Sequence, residues 1–530
     1  MQIPAPNNAL QRTSPINKLP LETLHDIFKL GVSCRNSQKR IDFAVLVSHV
    51  CRKWRNVAIS SSSLWTDITI TSDNMHDVDS DVQLAIVNKS LIRAREFAFR
   101  SGVFPLFVRL KLLTIHNSKV LRSGTGIIMD WLRLVLPRIK YLSIKCNSLE
   151  VAWIIMSRLR AAPMENLETY KMKFGTTFVS FDSTIPLLPT LRFRILASGH
   201  EEQFAQVTDN LLPRLTRATY SGIPVSWPQW SLTRLTSLTI NFMALNNRPS
   251  MDTLKNILTI NGETLEKLEI KGAIQRFGRL PDVDELPSNL PRLIDLTLGY
   301  LSQQEAITFL LHFETPALKH LKLCDVSRSI LARPRPRRLN NQDFQNMDAL
   351  RPFSNFSSTE ILEHLVYVWA PQLQRVETLV LEHFRLPPVF SALLQDDDFL
   401  NQQRYDGRVF LAYRMLQTCL RLRSLVLVNP EECLIHALNI YPDPDDPRPA
   451  PVLTRLCLAS AHRDLLILFL KQRAESLAEE KGSHVLDYLE LATAEQDVEH
   501  LSENIASNCI DMSRFAESSL VTEWQGSLTT

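Results

Sequence analysis

The residue types that most often carry catalysis occur in this chain without the companions that catalysis requires. His200 and Glu201 begin an HExxH zinc motif, but Phe204 occupies the position of the second histidine ligand. His320 and Cys324 lie four residues apart, with no companions to complete a metal site. GxSxG, GxGxxG and Walker A sequences are absent as well. The sequence therefore predicts a non-catalytic binding protein with no metal and no cofactor.

Composition favours an intracellular protein that binds neither membrane nor nucleic acid. The formal charge is only +3, from 59 Lys and Arg against 56 Asp and Glu. The eight Cys form no CxxC pair, so reduced thiols are expected. Residues 1–15 lack the apolar run of a signal peptide, and the densest apolar run, Leu465 to Leu470, is far too short to cross a bilayer. We expect a cytoplasmic or nuclear location.

A pattern of apolar-x-x-apolar-x-apolar recurs along the chain. Thirteen copies begin at Leu110, Ile139, Leu167, Leu191, Leu215, Leu235, Leu265, Leu293, Leu318, Val376, Leu422, Leu453 and Leu486. The first nine are spaced by 20 to 30 residues, near the range of leucine-rich repeats. Each copy ends in alternating apolar residues, which is typical of a short strand with one buried face. The alternation predicts a strand in every copy.

Helical periodicity between the copies completes the repeat. It occurs at 127–136, 151–160, 251–260, 303–313 and 359–369. A strand and a helix at this period cannot bury their apolar faces alone, so neighbouring repeats must stack into an α/β solenoid. The array is irregular, because most copies lack the Asn or Cys expected after the last apolar position. Two Pro-rich insertions, near 328–341 and 441–451, are predicted to be exposed loops.

The segment from Asn17 to Trp65 is predicted to be a separate helical unit. Pro20 suits the first turn of a helix, and Leu21, Leu24, Ile27 and Phe28 form an apolar stripe that Gly31 can end. A second stripe comprises Val47, Val50, Cys51, Trp54, Val57 and Ala58. The segment is too small to bury a core by itself, so we expect it to complete its core against a partner.

These residues resemble an F-box domain. The sequence LPLETLHDIF at Leu19 to Phe28, VSHVCRKWRNVA at Val47 to Ala58 and SLW at Ser63 to Trp65 match its pattern in order and spacing. The form is similar to the F-box-like proteins of mushroom-forming fungi, many of which carry irregular leucine-rich repeats. The expected organisation is a disordered N-terminus (1–15), a small all-helical F-box (16–70), the solenoid (71–514) and a disordered tail (515–530).

The resemblance implies the substrate-recognition subunit of an SCF-type cullin ubiquitin ligase. The F-box would dock onto a Skp-family adaptor, and the solenoid would bind the target protein. The adaptor-binding residues it implies are Leu19, Pro20, Leu24, Ile27, Phe28, Val47, Val50, Cys51 and Trp54. Many of these apolar residues could instead only pack the helical bundle. The alternative function is a non-ligase scaffold whose N-terminal helices cap the solenoid.

The outward positions of the central strands carry an excess of cations. In x-L-x-L the Leu residues face the core, so the x positions project outward. Those from Ile139 to Leu323 include seven cations and two anions. We therefore hypothesise that an acidic or phosphorylated segment binds there; a charge ladder that only keeps the sheet soluble is the alternative. The candidate target-binding residues are Tyr141, Lys145, Lys171, Lys173, Arg217, Lys267, Lys271, His320 and Lys322.

Overall fold

The computed structural model of the protein describes residues 18–33, 37–72, 80–112, 118–146, 149–159, 163–174, 212–223, 225, 227, 232–243, 248–275, 287–328, 358–384, 386, 407–438, 449–459, 488–492 and 509–511. They belong to two compact units. The first takes its residues from 1–176 and 199–219, and the second from 177–198 and 220–530. Each unit contains parallel strands joined by helical connections, so the protein is mixed α/β, as the repeat pattern predicts.

The first unit opens with three helices and continues as strand repeats. The helices are α1 (Leu21–Ser33), α2 (Ser37–Val50) and α3 (Arg52–Ser60), followed by a 3₁₀ turn at Ser62–Trp65. The repeats are β1 (Asp67–Thr71), α4 (Ser80–Arg100), β2 (Leu106–Leu112), α5 (Ser118–Val135), β3 (Ile139–Cys146), α6 (Leu149–Leu159) and β4 (Thr169–Phe174). Strands β1 to β4 pair side by side and in parallel.

β5 (Arg217–Ser221) is divided between the units, and the second unit continues the strand repeats. Its elements are β6 (Ser237–Asn241), α7 (Met251–Ile260), β7 (Lys267–Lys271), β8 (Ser288–Asn289), β9 (Asp295–Tyr300), α8 (Gln303–His312), β10 (Phe313–Glu314), β11 (His320–Asp325), α9 (Thr359–Tyr367), α10 (Ala370–Leu373), β12 (Thr378–Glu382), α11 (Gly407–Thr418), β13 (Ser424–Val428), α12 (Glu432–Ala437), β14 (Arg455–Ala459), β15 (Tyr488–Ala492) and β16 (Cys509–Asp511).

One sheet of this unit runs β6-β7-β9-β11-β12-β13-β14-β15 in parallel, with β16 antiparallel to β15. Strands β8 and β10 form a separate pair. The register is constant along the repeats, with Leu268 opposite Leu238 on one side and Leu296 on the other. These side chains are fully buried, and their sequence neighbours remain partly or wholly exposed except Thr297, which is also buried. The alternation x-L-x-L therefore defines one core face and one outward face.

The structure has a strand at every predicted copy of the repeat pattern except those that begin at Leu110 and Leu191. Leu110 was predicted to begin its copy, but the strand runs from Leu106 to Leu112 and the copy lies four residues earlier. Alternating apolar residues continue past Leu110 in the sequence, and for this reason the predicted copy was placed too late. The copy at Leu191 lies outside the described residues. Most of the two Pro-rich insertions, the N-terminus 1–15 and the tail 515–530 also lie outside them.

The N-terminal domain is not helical throughout, because its last residues are extended. Residues 67–71, assigned mainly to an all-helical F-box, form β1 instead and pair with β2. Gly31 also does not end α1, which continues to Ser33. Its missing side chain makes room for the Phe43 ring, as a Cβ there would lie only 2.7 Å from Phe43 Cε1.

Several strands end in the same tight turn. The residue after the strand has positive φ at Gly222, Phe242, Gly272, His383 and Asn429. Its backbone N–H donates to the last or second-last carbonyl of the next strand, as Phe242 N does to Lys271 O at 2.7 Å. Only glycine adopts this conformation without steric cost, yet three of the five positions are not glycine. Register with the next strand therefore compensates for local strain.

Candidate functional site

The apolar residues of the three N-terminal helices divide into a core and an exposed set. Leu24, Phe28 and Val47 are buried, and the Phe28 ring contacts Trp54 edge-on with centroids 5.0 Å apart. Phe28 also lies 6.5 Å from the Phe43 ring. Among the candidate adaptor-binding residues, Leu24, Phe28 and Val47 therefore hold the helices together in this conformation and do not offer a contact surface.

The exposed set is where a partner could bind. Ile27 is 42% exposed and Val50 is 56% exposed, while Pro20 is exposed and Leu19 is half-buried. The structure adds exposed apolar residues that the helical pattern did not single out as contacts: Leu21, Leu30, Leu46 and Ile59. Leu46 and Val50 are one helical turn apart, so they share one side of α2. Their exposure could not be predicted from the sequence, because an exposed apolar residue and a buried one have the same residue type.

Cys51 and Trp54 lie together at the start of α3. Cys51 is the N-cap residue, and its Sγ accepts a hydrogen bond from the Trp54 amide at 3.5 Å. Both side chains are half-buried. They therefore fix the direction of α3 as well as contributing to the outer surface of the bundle.

A second set of contacts joins the helical domain to the first repeats of its own unit. Trp65 is buried, donates from Nε1 to the Ala58 carbonyl at 2.8 Å and meets the Phe97 ring of α4 at 4.9 Å. Arg100 stacks over the same indole at 4.5 Å. The SLW motif is therefore a structural junction.

Within the helical domain, His25 and Ser61 are joined by a 2.6 Å hydrogen bond, and Ser61 Oγ also donates to Val57 O.

The outward face of the first unit's sheet is cationic. The register places Lys111, Lys145 and Lys173 side by side on β2, β3 and β4. One row back lies Lys171, half-buried with its Nζ 5.7 Å from the Tyr141 ring centroid. Arg109 also lies over Tyr141 but is paired with Asp67 at 2.7 Å. Of the candidate target-binding residues, Tyr141, Lys145, Lys171 and Lys173 are thus brought together, and Arg217 is exposed on β5.

The outward face of the second unit's sheet is instead neutralised by ion pairs. Lys267 pairs with Asp295 at 2.5 Å, Lys271 with Glu269 at 2.9 Å and Lys322 with Glu382 at 2.6 Å. Each of these three candidate target-binding cations is therefore paired with a carboxylate of its own or a neighbouring strand. His320 is exposed on β11. The charge excess counted along the sequence therefore does not produce a uniform cationic surface.

The Lys271–Glu269 pair shifts both pKa values. Burial opposes ionisation of each group and is the largest single influence on both. The attraction between the two charges, with the hydrogen bonds that Glu269 accepts from Lys271 and Asn241, outweighs it. The pKa of Glu269 is therefore lowered and that of Lys271 is raised. The pair is held as an ion pair at neutral pH.

Of the residues considered for metal chemistry, the structure describes only His320 and Cys324, and these two do not form a site. His320 and Cys324 are separated by about 13 Å of extended strand. The Cys324 thiol is buried, which raises its pKa, so no reactive thiolate is offered to solvent at neutral pH. His200, Glu201 and Phe204 lie outside the described residues. No group of three or more potential metal ligands occurs among the residues that the structure places.

In the described part of the chain, no helix combines the length and apolar character needed to cross a bilayer.

These features define a mixed α/β protein in which a small helical domain precedes parallel-strand repeats. Residues 16–71 match the family described as F-box-like, which identifies the N-terminal domain. Among solved structures, the leucine-rich repeat-containing protein LegL7 from Legionella pneumophila is similar at 11% identity, with a TM-score of 0.27, covering 76% of this chain and 97% of that protein. The repeat assignment rests on strand order and register. No curated protein matches the chain significantly.

Proposed function

We propose that the protein is a substrate-recognition subunit of an SCF-type cullin ubiquitin ligase. The F-box-like domain would bind a Skp-family adaptor, and the strand repeats would bind a target protein. The single observation that carries this proposal is the match of residues 16–71 to the F-box-like family on a helical bundle with exposed apolar residues. No catalytic group is required of this chain, because the other subunits would supply the ubiquitin chemistry. A cytoplasmic or nuclear location follows from the proposal.

The exposed apolar residues support adaptor binding by this domain. Leu46 and Val50 remain 64% and 56% exposed while the bundle core is complete without them. Apolar side chains of this size gain free energy when a partner removes them from water. The adaptor would cover this side of α2, together with Ile27 and the exposed Pro20.

Co-purification tests the proposal directly. The full chain would be expressed with a Skp-family adaptor and a cullin and captured through a tag on this chain. We expect the adaptor and the cullin together in the captured complex. Capture of neither would refute the proposal, and capture of the adaptor without the cullin would favour a scaffold over a ligase subunit.

The second candidate is that scaffold, with the N-terminal helices as a cap on the repeats. The observation that favours it is the Trp65 junction, since the 3₁₀ turn and α2 both contact elements of the first repeat. A cap protects the exposed end of a repeat array and needs no partner. Unchanged solubility and stability after removal of the first helices would exclude the cap.

A further inference from the structure

The two units differ in how their outward strand faces handle charge. In the first unit, strands β1 to β4 contain six cations and one acid, Asp67. Asp67 is paired with Arg109, and Lys140 is paired with Glu168 at 3.1 Å. No acidic partner for Lys111, Lys145, Lys171 or Lys173 occurs among the described residues. We call these four the lysine row.

The register makes the lysine row compact. Lys111, Lys145 and Lys173 are direct neighbours on three adjacent parallel strands, so their Cα positions repeat at about 4.8 Å. Lys171 stands two residues before Lys173 on β4 and points to the same side. Adjacent ammonium groups repel one another, and among the described residues no carboxylate is paired with these four lysines to offset that repulsion.

The second unit shows that the same fold can neutralise this face. There Lys267, Lys271 and Lys322 each meet a carboxylate from their own or a nearby strand. Gly299 even admits the stem of Lys271, since a Cβ there would lie 2.6 Å from Lys271 Cγ. If outward charges served only to keep the sheet soluble, we would expect them to be paired with opposite charges, as they are in the second unit. In the described part of the chain, the lysine row lacks such partners.

An aromatic pair borders the lysine row. The Phe107 and Tyr141 rings lie 6.4 Å apart on neighbouring strands, and both side chains are half-buried. Arg109 lies over the Tyr141 ring, and the parts of the two rings that stay exposed beside it offer contact area to an apolar side chain. The face thus combines a charged end with an aromatic end.

We propose that the lysine row binds an extended acidic segment of a target protein. Side chains at alternate residues of an extended segment point to one side and lie about 7 Å apart. Lys173 and Lys171 alternate along β4, so two such carboxylates of a segment lying along that strand match them in spacing and sign. An apolar residue further along the segment would reach the level of Tyr141, which is paired with Thr169 of β4. This inference rests on the proposed function, in which the repeats bind the target.

The probe is a fluorescein-labelled peptide of alternating Glu and Ser with a terminal Leu, measured by fluorescence anisotropy with the full chain. We expect Lys145→Gln with Lys173→Gln to weaken binding by about tenfold or more. The matched control, Lys267→Gln with Lys322→Gln, also removes two outward lysines and should change affinity by less than about twofold. Added salt should weaken binding by the wild type.

Equal losses in the two double variants, or no loss in the first, would overturn the inference. So would tighter binding of single-stranded oligothymidylate than of the peptide, because the row would then be a general polyanion site. If Lys145→Gln with Lys173→Gln unfolds, Lys111→Gln with Lys145→Gln takes its place.

Adaptor capture by the same variants distinguishes a failure of this inference from a failure of the proposed ligase function. Loss of peptide binding with the adaptor retained supports the inference. Absence of peptide binding in a wild type that captures the adaptor refutes the inference alone. Peptide binding without adaptor capture refutes the proposed function alone.

Discussion

Gly31 of α1 lies directly beneath the ring of Phe43 of α2, and no other residue fits there without moving that ring. A Cβ at Gly31 would lie 2.7 Å from Phe43 Cε1, and Phe43 in turn contacts Phe28. The close approach of α1 and α2 thus depends on an absent side chain.

Gly31→Ala should destabilise the helical domain by about 1–3 kcal/mol, because the ring must shift within a packed core. Urea unfolding followed by tryptophan fluorescence measures the change. Gly124→Ala on α5 is the matched control, since its new Cβ would meet Val87 Cγ1 at an ordinary 3.7 Å. The control should be stabilising by about 0.5–1 kcal/mol. Equal effects of the two substitutions would contradict the packing described.

Arg248 and Glu305 form a fully buried ion pair in the second unit. Arg248 donates to Glu305 Oε1 at 3.0 Å and to the Ile274 carbonyl at 2.7 Å, and Glu305 Oε2 accepts from the Leu301 amide. Arg248→Met leaves a buried carboxylate without its counter-ion and should cost about 3–5 kcal/mol in the free energy of unfolding.

The exposed pair Lys267–Asp295 provides the comparison for Arg248. Lys267→Met should cost less than about 1 kcal/mol, because water solvates the remaining carboxylate. Adding Glu305→Gln to Arg248→Met should recover part of the loss. An Arg248→Met effect no larger than that of Lys267→Met would show that the buried pair is not closed in solution.

The ion pair of Glu269 with Lys271 should make stability depend on acid pH. The pKa of Glu269 is lower in the folded protein than its ordinary value of 4.5. Its contribution is therefore complete above that value and is lost as pH falls through the folded pKa. Glu269→Gln should remove this part of the acid-induced loss and lower stability at neutral pH.

Thermal unfolding of the wild type and Glu269→Gln across the acid range measures the difference. The two melting temperatures should converge as pH falls below about 4. A constant difference at every pH would mean that Glu269 stabilises the sheet by packing and not by its charge.

The strands of the repeats could be read from the sequence, because alternating Leu residues report one buried face. The copy at Leu265 predicts β7 correctly, and the same holds for Leu293 and β9. β1 was missed because DITIT has no leucine and follows directly after the helical motif. The turn at Phe242 left no signal either, since its positive φ occurs together with a hydrogen bond to Lys271 O on a strand distant in sequence.

For the outward faces, the sequence predicts which side chains project outward but not which of them form ion pairs. The sequence indicates that Lys145 and Lys271 both project outward, and both do. Whether a lysine is free or paired depends on which residues the register places beside it. Lys111 was not among the predicted positions, because the cationic face was taken to begin with the copy at Ile139, whereas the register extends it to β2.

The central claim is that the F-box-like domain binds a Skp-family adaptor through its exposed apolar residues. Isothermal titration of the purified adaptor into the full chain should give a one-to-one complex. Leu46→Gln with Val50→Gln should weaken it by about tenfold or more, because two apolar side chains lose their burial. The control Ile92→Gln with Leu134→Gln, at positions on α4 and α5 that are at least as exposed, should leave the affinity unchanged. No binding by the wild type, or equal affinities for both double variants, would contradict the claim.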